Sequence, residues 1–328
     1  MTAAALTLLL SALSCGLYLL LARRLQIVDT PNERSSHQLP TPHGGGVPML
    51  LAFTAGLLLA VRTHGAWDGA YVNLAAAALL LMLLGVVDDL RGLSVRLRFS
   101  LYALCCLAVA SVLLQPVWAQ NPLFGLTAAL LAALGMLWLL NLYNFMDGID
   151  GIAALQCIVA CVSAALLSLE SGDDASYPLF CLLLAASHLG FLLWNWPPAR
   201  LFMGDAGSVP SGFLLAGLAL QGAVQGQLNP LCWLILLGLF ITDASWTLIW
   251  RMRSGQPFTR PHRLHAYQRL SRRWDSHLLV DLLLLAVNAL WLFPLAWAVQ
   301  TLPQHGLFLV ILAYLPLLLG MVKIRHLA

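Results

Sequence analysis

The 328-residue chain is too apolar for a soluble protein, with 60% hydrophobic and 9% charged residues and a mean hydropathy of +0.84. Soluble domains carry roughly 25% charged residues. The composition therefore predicts an integral membrane protein, and the small net charge of +3 gives no reason to expect a nucleic-acid partner.

Apolar runs of about 20 residues are long enough to cross a bilayer as helices. The sequence contains eleven candidate runs, at 2–22, 45–61, 70–87, 99–115, 123–141, 152–169, 177–194, 209–223, 230–249, 277–299 and 306–322. The polar segments between them are too short for a separate domain. We therefore predict a single all-α, polytopic membrane domain over residues 1–328, with about 11 transmembrane helices.

The basic residues predict how these helices are oriented. If the N-terminus lies outside, the arginines and lysines fall in loops on the inner side, and only Arg62 is left outside. Cytoplasmic loops of membrane proteins are enriched in Lys and Arg. We therefore expect an external N-terminus and a cytoplasmic C-terminus.

A polar stretch, Asn141-Leu-Tyr-Asn-Phe-Met-Asp-Gly-Ile-Asp-Gly151, follows the fifth span. Asn141, Asn144 and Asp147 are three residues apart, so on a helix they share one broad face before the glycines loosen the backbone. Oxygen ligands without a nearby His or Cys suit a hard cation such as Mg²⁺. A helix cap followed by a turn explains the same residues equally well, because Asn, Asp and Gly are common at helix ends.

Two adjacent carboxylates, Asp88 and Asp89, end the third span on the same predicted side. Acidic residues at a membrane edge need a positive partner. That partner is a bound metal, a phosphate-linked proton, or the nearby Arg91, Arg96 and Arg98. Adjacent carboxylates also favour a proton on one of them, which suits one residue to act as a base. The ion-pair interpretation and the catalytic interpretation both remain open.

Asp205 lies between two glycines just before the eighth span. Ser208 is a predicted N-cap for that helix, and Pro210 fits its first turn. Because Ser208 already meets the need for a cap, we favour a ligand-binding role for Asp205 over a capping role. The helix N-terminus itself favours a bound phosphate.

The first inner loop combines Arg34 and His37 with the triplet Gly44-Gly-Gly46. Successive glycine N–H groups can converge on a phosphate, and the two cationic side chains can add charge-assisted hydrogen bonds. A plain tight connector is the more common role for such a triplet.

The last inner loop follows Asp243 and contains His262, Arg263 and His265 within Pro261-His-Arg-Leu-His265. An acidic residue inside a span is a functional candidate, although Asp243 can also simply pair with an arginine of this loop. The Arg and His residues form a predicted anion site, although membrane topology alone also places arginines here.

These segments together resemble the polyprenyl-phosphate N-acetylhexosamine-1-phosphate transferases, the family that includes the phospho-MurNAc-pentapeptide translocase. The matching segments cover most of the chain in family order: Asp-Thr-Pro-Asn-Glu-Arg-Ser-Ser-His from 29, Gly-Gly-Gly from 44, Asp-Asp from 88, the stretch 141–151, Phe-Met-Gly-Asp-Ala-Gly-Ser from 202, Asp243, and Pro-His-Arg-Leu-His from 261.

The resemblance implies transfer of N-acetylhexosamine-1-phosphate from a UDP-sugar to undecaprenyl phosphate, with release of UMP. It also implies Mg²⁺ or Mn²⁺ as the metal and an active site on the cytoplasmic face of a bacterial inner membrane. The short inner loops are similar to those of the branch that initiates O-antigen and related lipopolysaccharides. A homodimer is a further expectation.

The resemblance also assigns roles to individual residues. It implies Asp205 and Asp147 as metal ligands, Asp88 as the base on the lipid phosphate, Asp89 as a second acid and His265 as a phosphate contact. The substrate-binding residues that it implies are Asn141, Asn144, Asp150, Arg34, His37, His262 and Arg263. Tyr267 stands where the family often has another His, so its role is open.

A secondary transporter of an anionic substrate is the alternative function, because transporters also carry acidic residues within their spans. Their binding sites, however, usually lie near the bilayer midplane in broken helices. The polar motifs of this chain instead fall at span ends on one predicted side, which favours the transferase.

Overall fold

The computed structural model of the chain describes residues 2–30, 39–64, 67–169, 175–256 and 263–325. Over these residues the fold is almost entirely helical, with one antiparallel pair of two-residue strands, β1 (Val28–Asp29) and β2 (Thr41–Pro42). The helices are α1 (Thr2–Arg24), α2 (Gly46–His64), α3 (Gly69–Arg91), α4 (Val95–Leu113), α5 (Gln115–Gln120), α6 (Pro122–Met146), α7 (Ile152–Ser168), α8 (Ser176–Asn195), α9 (Asp205–Val224), α10 (Pro230–Leu236), α11 (Gly238–Arg253), α12 (Ala266–Trp274), α13 (His277–Val287), α14 (Phe293–Thr301) and α15 (Gly306–Arg325). A π-helical segment (Asn288–Leu292) joins α13 to α14, and a 3₁₀ turn (Pro303–His305) precedes α15.

The prediction of an all-α, polytopic membrane protein is confirmed. Within the described residues nine spans are long and apolar enough to cross a bilayer, and α10 with α11, bent by 71°, gives a tenth if the pair is counted as one span. The predicted sixth span is α7, a helix of 17 residues, which is shorter than the others. Each predicted apolar run therefore coincides with a helix, although nine or ten reach full spanning length where about 11 were expected.

The centre of the bundle is formed by α8 and α9. In their most apolar stretches 72% and 78% of the residues are buried, whereas in α15 only 11% are. The lipid-facing surface is therefore supplied by helices such as α15, and the start of α9 lies among neighbours on several sides.

Glycines allow α2, α3 and α9 to meet at their ends. A Cβ on Gly46 would overlap the backbone of Gly207, and a Cβ on Gly85 would lie 2.5 Å from the amide nitrogen of Ala206. Small residues permit such close approach of membrane helices, where packing replaces the hydrophobic effect. These contacts bring the end of α3 to the start of α9. We call this end of the bundle, with the adjoining end of α6, the polar end.

The start of α9 differs from the prediction. The helix begins at Asp205, and Gly204 occupies the cap position with φ of +73°, a conformation that glycine adopts without strain. Ser208 therefore lies inside the helix, and its hydroxyl donates to the Gly204 carbonyl at 3.2 Å. The assignments of Ser208 as the N-cap and of Pro210 to the first turn are wrong, because Gly204 starts the helix four residues earlier.

Candidate active site

Asp205 lies where three helices meet at the polar end. Its Oδ1 accepts a hydrogen bond from Asn144 Nδ2 of α6 at 2.8 Å, and its Oδ2 accepts one from Arg98 Nη1 of α4 at 3.2 Å. Asn144 Nδ2 also lies 2.8 Å from Ser208 Oγ. Neither Asp205 contact involves the N–H groups of α9, so the carboxylate faces other helices and does not cap its own.

Asp89 of α3 takes the capping role. The backbone N–H groups of Asp205 and Ala206 donate to its two carboxylate oxygens at 3.3 and 3.4 Å. A carboxylate at this position is stabilised by the partial positive charge of the helix N-terminus. Sequence analysis missed this contact because the two partners lie more than 100 residues apart in the chain.

Asp88 turns the other way, toward the start of α4. Its Oδ1 accepts a hydrogen bond from the backbone N–H of Leu93 at 2.7 Å, and its Oδ2 forms an ion pair with Arg98. Arg98 thus contacts both Asp88 and Asp205 through the same Nη1 atom. The ion-pair interpretation of the acidic pair is therefore observed for Asp88, with an arginine that sequence analysis had named only as one of three.

Asp147 follows the last residue of α6 and lies near the same carboxylates. Burial, and then the charges of Asp205, Asp89 and Asp150, raise the pKa of its carboxyl from 3.8 to about 7. Like charges at short range and removal from water both disfavour the ionised form. A cation brought to this region would be stabilised by the same field.

Two other polar residues of the 141–151 stretch have hydrogen-bond partners other than Asp205. Asn141 donates to the Leu137 carbonyl of its own helix at 2.7 Å. Asp150 is buried, and its Oδ2 accepts a hydrogen bond from the Ala199 N–H at 3.0 Å and lies 3.1 Å from His277 Nδ1. The Asp150 contacts hold the turn after α6 in place, and the substrate-binding roles of Asn141 and Asp150 stay predictions.

The glycine triplet of the first inner loop is a tight connector. The N–H groups of Gly45 and Gly46 donate to the carbonyls of Phe202 and Met203, both at 2.9 Å. They are therefore used within the protein, and the phosphate-binding interpretation is wrong for these two groups. Arg34 and His37, predicted to assist them, lie outside the described residues.

A second polar cluster lies where α11 meets α12. Asp243 Oδ1 accepts a hydrogen bond from the Ala266 N–H at 2.9 Å and lies 3.2 Å from His265 Nδ1. Asp243 Oδ2 accepts a hydrogen bond from the Tyr267 N–H at 3.0 Å. Asp243 thus binds the start of α12 and orients His265. Arg263 lies just before this cluster and is half-buried. His262 lies outside the described residues.

Tyr267 connects the two clusters. Its ring stacks on that of His265 with centroids 5.6 Å apart, and its hydroxyl donates to the Phe145 carbonyl at 3.0 Å. A Cβ on Gly148 would overlap this hydroxyl, so the tyrosine lies directly on the turn after α6. Burial, and then the charges of Asp243 and Asp147, raise the pKa of the phenol well above its ordinary value, so Tyr267 stays neutral.

The donor set at the polar end fits a hard cation shared with a substrate. Among the described residues no three His, Cys, Asp or Glu side chains converge as metal ligands. Asp205 and Asp147 nevertheless offer carboxylates, and Asn144 offers a carboxamide. Because Mg²⁺ is usually held by one or two carboxylates and completed by substrate phosphates and water, these residues suit Mg²⁺ bound together with a phosphorylated ligand.

An apolar cavity of about 230 Å³ lies beside the second cluster. Its walls are mostly apolar side chains of α11, α12, α13 and α15, including Phe240, Leu284 and Leu317. Asp243 and Tyr267 also line it, so polar groups and an apolar chamber adjoin at this end of the bundle.

Comparison with known proteins identifies a class of membrane transferase. A family model described as glycosyl transferase family 4 matches residues 71–223, which hold both acidic stretches and Asp205. A decaprenyl-phosphate N-acetylglucosaminephosphotransferase of Mycobacterium leprae is 31% identical over 82% of this chain and 76% of its own length.

Two further relatives agree with this assignment. A probable undecaprenyl-phosphate N-acetylglucosaminyl 1-phosphate transferase of Bacillus subtilis is 26% identical over 78% of this chain and 73% of its own length. An undecaprenyl-phosphate alpha-N-acetylglucosaminyl 1-phosphate transferase of Yersinia pestis is 29% identical over the same shares. The chain therefore belongs to the polyprenyl-phosphate N-acetylhexosamine-1-phosphate transferases of glycosyl transferase family 4.

Proposed function

We propose that the protein transfers N-acetylhexosamine-1-phosphate from a UDP-sugar to undecaprenyl phosphate at the cytoplasmic face of a bacterial inner membrane. The product would begin an O-antigen or related envelope polysaccharide. The observation that carries the proposal is the meeting of Asp205, Asn144 and Arg98 from three helices at the polar end. The named activities of the relatives support the same reaction.

In this reaction an oxygen of the lipid phosphate attacks the sugar-linked phosphorus of the donor, and the bond from that phosphorus to UMP breaks. Asp205, Asp147 and Asn144 would hold Mg²⁺, which when bound offsets the diphosphate charge. Asp88 is the proposed base for the proton of the lipid phosphate. Because its Oδ2 pairs with Arg98, this role requires the arginine to release that oxygen.

The second cluster and its cavity fit the lipid acceptor. His265, oriented by Asp243, together with Arg263 and His262, would contact the phosphate head group. The apolar cavity beside Tyr267 would accept the first part of the prenyl chain. The acceptor would then approach the donor across the end of α6, to which Tyr267 is hydrogen-bonded.

The test is a transfer assay with purified protein in detergent. Undecaprenyl phosphate, Mg²⁺ and a panel of UDP-N-acetylhexosamines would be supplied one sugar at a time. Release of UMP together with a lipid-pyrophosphate-sugar identified by mass would support the proposal and name the sugar. Uptake of a UDP-sugar into proteoliposomes with no UMP release would instead support the transporter alternative.

A further inference from the structure

Arg98 forms ion pairs with two acidic residues from different helices. Its Nη1 atom pairs with Asp88 Oδ2 of α3 and lies 3.2 Å from Asp205 Oδ2 of α9. The Arg98 side chain is 30% exposed, whereas that of Asp88 is 7% exposed. The positive charge is therefore accessible from the polar end, while the carboxylate that it neutralises is not.

The position of Arg98 places it in competition with a metal ion. Asp205 Oδ1 accepts a hydrogen bond from Asn144, and Oδ2 carries the Arg98 contact. A cation that binds Asp205 through Oδ2 meets the arginine there. A guanidinium and a divalent cation cannot both bind this oxygen closely without repelling each other. A metal that binds Asp205 through Oδ2 must therefore displace Arg98.

Tyr102 supplies an independent observation on the same helix. It lies four residues after Arg98, so the two side chains share one face of α4. The residue is 5% exposed, and its hydroxyl is buried with no hydrogen-bond partner within the described part of the chain.

An unpartnered buried hydroxyl is unfavourable, because it loses its hydrogen bonds to water without replacement. The Tyr102 hydroxyl, one helical turn from Arg98, is therefore available to an acceptor that binds near the arginine. Phosphate oxygens are such acceptors, and Arg recognises them through its planar set of N–H donors.

We propose that Arg98 is an internal counter-ion of Asp88 and Asp205 that competes with the divalent metal for Asp205. When the metal binds, Arg98 transfers to a phosphate oxygen of the sugar nucleotide, and the Tyr102 hydroxyl donates to the same phosphate group. The identity of this ligand rests on the proposed function. Metal and sugar nucleotide then bind cooperatively, because the metal expels the arginine and the nucleotide receives it. The exchange also frees Asp88 Oδ2.

The first experiment measures metal binding without nucleotide or turnover. Full-length Arg98→Gln in detergent would be titrated with Mn²⁺, and the free ion would be followed by electron paramagnetic resonance. Loss of the competing charge should tighten Mn²⁺ binding about fivefold, the size expected of a partly exposed ion pair. Arg98→Lys keeps the charge and should bind Mn²⁺ within about twofold of the parent.

The matched control is Arg96→Gln, which removes the same charge from an exposed position two residues away. Equal tightening in this variant would show a general charge effect and overturn the proposal. Parental or weaker Mn²⁺ binding by Arg98→Gln, with a parental melting temperature, would also overturn it. If Arg98→Gln fails to fold, the nucleotide affinity of Arg98→Lys decides, because lysine keeps the charge but lacks the planar set of N–H donors. Parental nucleotide affinity in Arg98→Lys would then overturn the proposal.

A second measurement tests the phosphate contacts. Binding of UDP-N-acetylglucosamine at saturating Mg²⁺ should weaken about tenfold in Arg98→Gln and about threefold in Tyr102→Phe, while Tyr102→Phe leaves Mn²⁺ affinity unchanged. Unchanged nucleotide affinity in both variants would remove α4 from phosphate recognition. Failure of the parent protein to release UMP would instead contradict the proposed function, so the two failures are distinguishable.

Discussion

Asp205 and Asp89 have different roles at the start of α9. One carboxylate caps the helix, and the other is directed at groups of neighbouring helices. Asp89 accepts the first N–H groups of α9, which leaves Asp205 directed at Asn144 and Arg98. Single substitutions should therefore separate stability from activity. The capping contribution belongs to Asp89 and the charge contribution to Asp205.

The variant Asp205→Asn should fold like the parent and lose transfer. The carboxamide keeps an oxygen for Arg98 but loses the charge that holds Mg²⁺ against its hydration shell. Removing a group that stabilises charge in the transition state costs on the order of 10²-fold or more in rate. UMP release over a range of Mg²⁺ concentrations measures the effect. Near-parental turnover with an unchanged Mg²⁺ requirement would move the metal assignment to Asp147.

The variant Asp89→Ala should lower stability more than Asp205→Ala does. It leaves two N–H groups at the start of α9 without their acceptor, and loss of a helix cap costs about 0.5–2 kcal/mol. Thermal unfolding of both variants in the same detergent measures the difference. An equal loss in both would mean that the Asp89 contact contributes nothing specific to the start of α9.

The variant Asp147→Asn should be more stable than the parent protein at high pH and not at low pH. The folded-state pKa of Asp147 is raised to about 7, so ionisation destabilises the folded state relative to the unfolded chain. This cost is absent below the ordinary pKa of 3.8, grows as the pH rises, and is complete above about 7. Melting temperatures without divalent ions at pH 5 and pH 8 test this. A larger increase in melting temperature at pH 5 than at pH 8 would contradict the prediction that ionised Asp147 destabilises the fold.

At the scale of helices, the docking of α12 on the end of α6 depends on a glycine and a tyrosine that face each other. Tyr267 donates to the Phe145 carbonyl, and the absence of a side chain at Gly148 leaves room for its hydroxyl. Gly148 therefore sets how closely the second cluster approaches Asp147. Tyr267, whose role the sequence left open, therefore has a structural role in this contact.

The variant Gly148→Ala should reduce transfer through this contact. The added methyl group overlaps the Tyr267 hydroxyl, and overpacking of this kind costs about 1–3 kcal/mol. Tyr267→Phe loses only one hydrogen bond, worth about 0.5–1.5 kcal/mol. The double variant removes the overlap with the hydroxyl and leaves a contact of 3.1 Å with the ring, so its transfer rate should exceed that of Gly148→Ala alone. A double variant worse than both single variants would show that the two residues act separately.

The helices of this chain were predictable from its long apolar runs. Inside a bilayer the backbone N–H and C=O groups of such a run must bond to each other, which a helix achieves. Where a helix starts was less predictable. The first residue of α9 depends on a left-handed Gly204 and on an acceptor from α3, and neither is visible in the local pattern that made Ser208 look like a cap. The bend between α10 and α11 at Leu237 was missed for the same reason, since the whole run reads as apolar.

The candidate site was predictable in part. Sequence analysis named Asp88, Asp89, Asn144 and Asp205, and the structure brings all four into one set of contacts. It could not tell which way each carboxylate points, because that depends on how the turns at the helix ends are folded. Asp150 illustrates this, since its side chain bonds the backbone at Ala199.

At the scale of the whole molecule, the polar end combines the end of α3, the start of α4, the end of α6 and the start of α9. This convergence requires that consecutive spans alternate in direction, which an all-helical bundle with short connections provides. A site assembled from four separate parts of the chain is therefore fixed by the packing of the bundle. It does not depend on one loop.

The last prediction concerns which side of the membrane the polar end faces. The bundle itself is compatible with either orientation, so the basic residues decide. At the polar end lie Arg24, Arg91, Arg96, Arg98, Arg200, Arg251, Arg253, Arg269, Arg272, Arg273, Lys323 and Arg325, whereas Arg62 lies near the opposite end of α2. The positive-inside rule therefore places the polar end in the cytoplasm, where a sugar nucleotide is available.

A labelling experiment in intact cells checks this orientation. The seven native cysteines are buried and would first be replaced, and single cysteines would then be introduced at exposed Gln120 and exposed Ser254. Gln120 follows the outward crossing of α4, and Ser254 follows α11 at the polar end. An impermeant thiol reagent should label Gln120→Cys in intact cells and Ser254→Cys only after lysis. Labelling of Ser254→Cys from outside would invert the bundle and separate Asp205 from any cytoplasmic donor, which would contradict the orientation and the proposed reaction together.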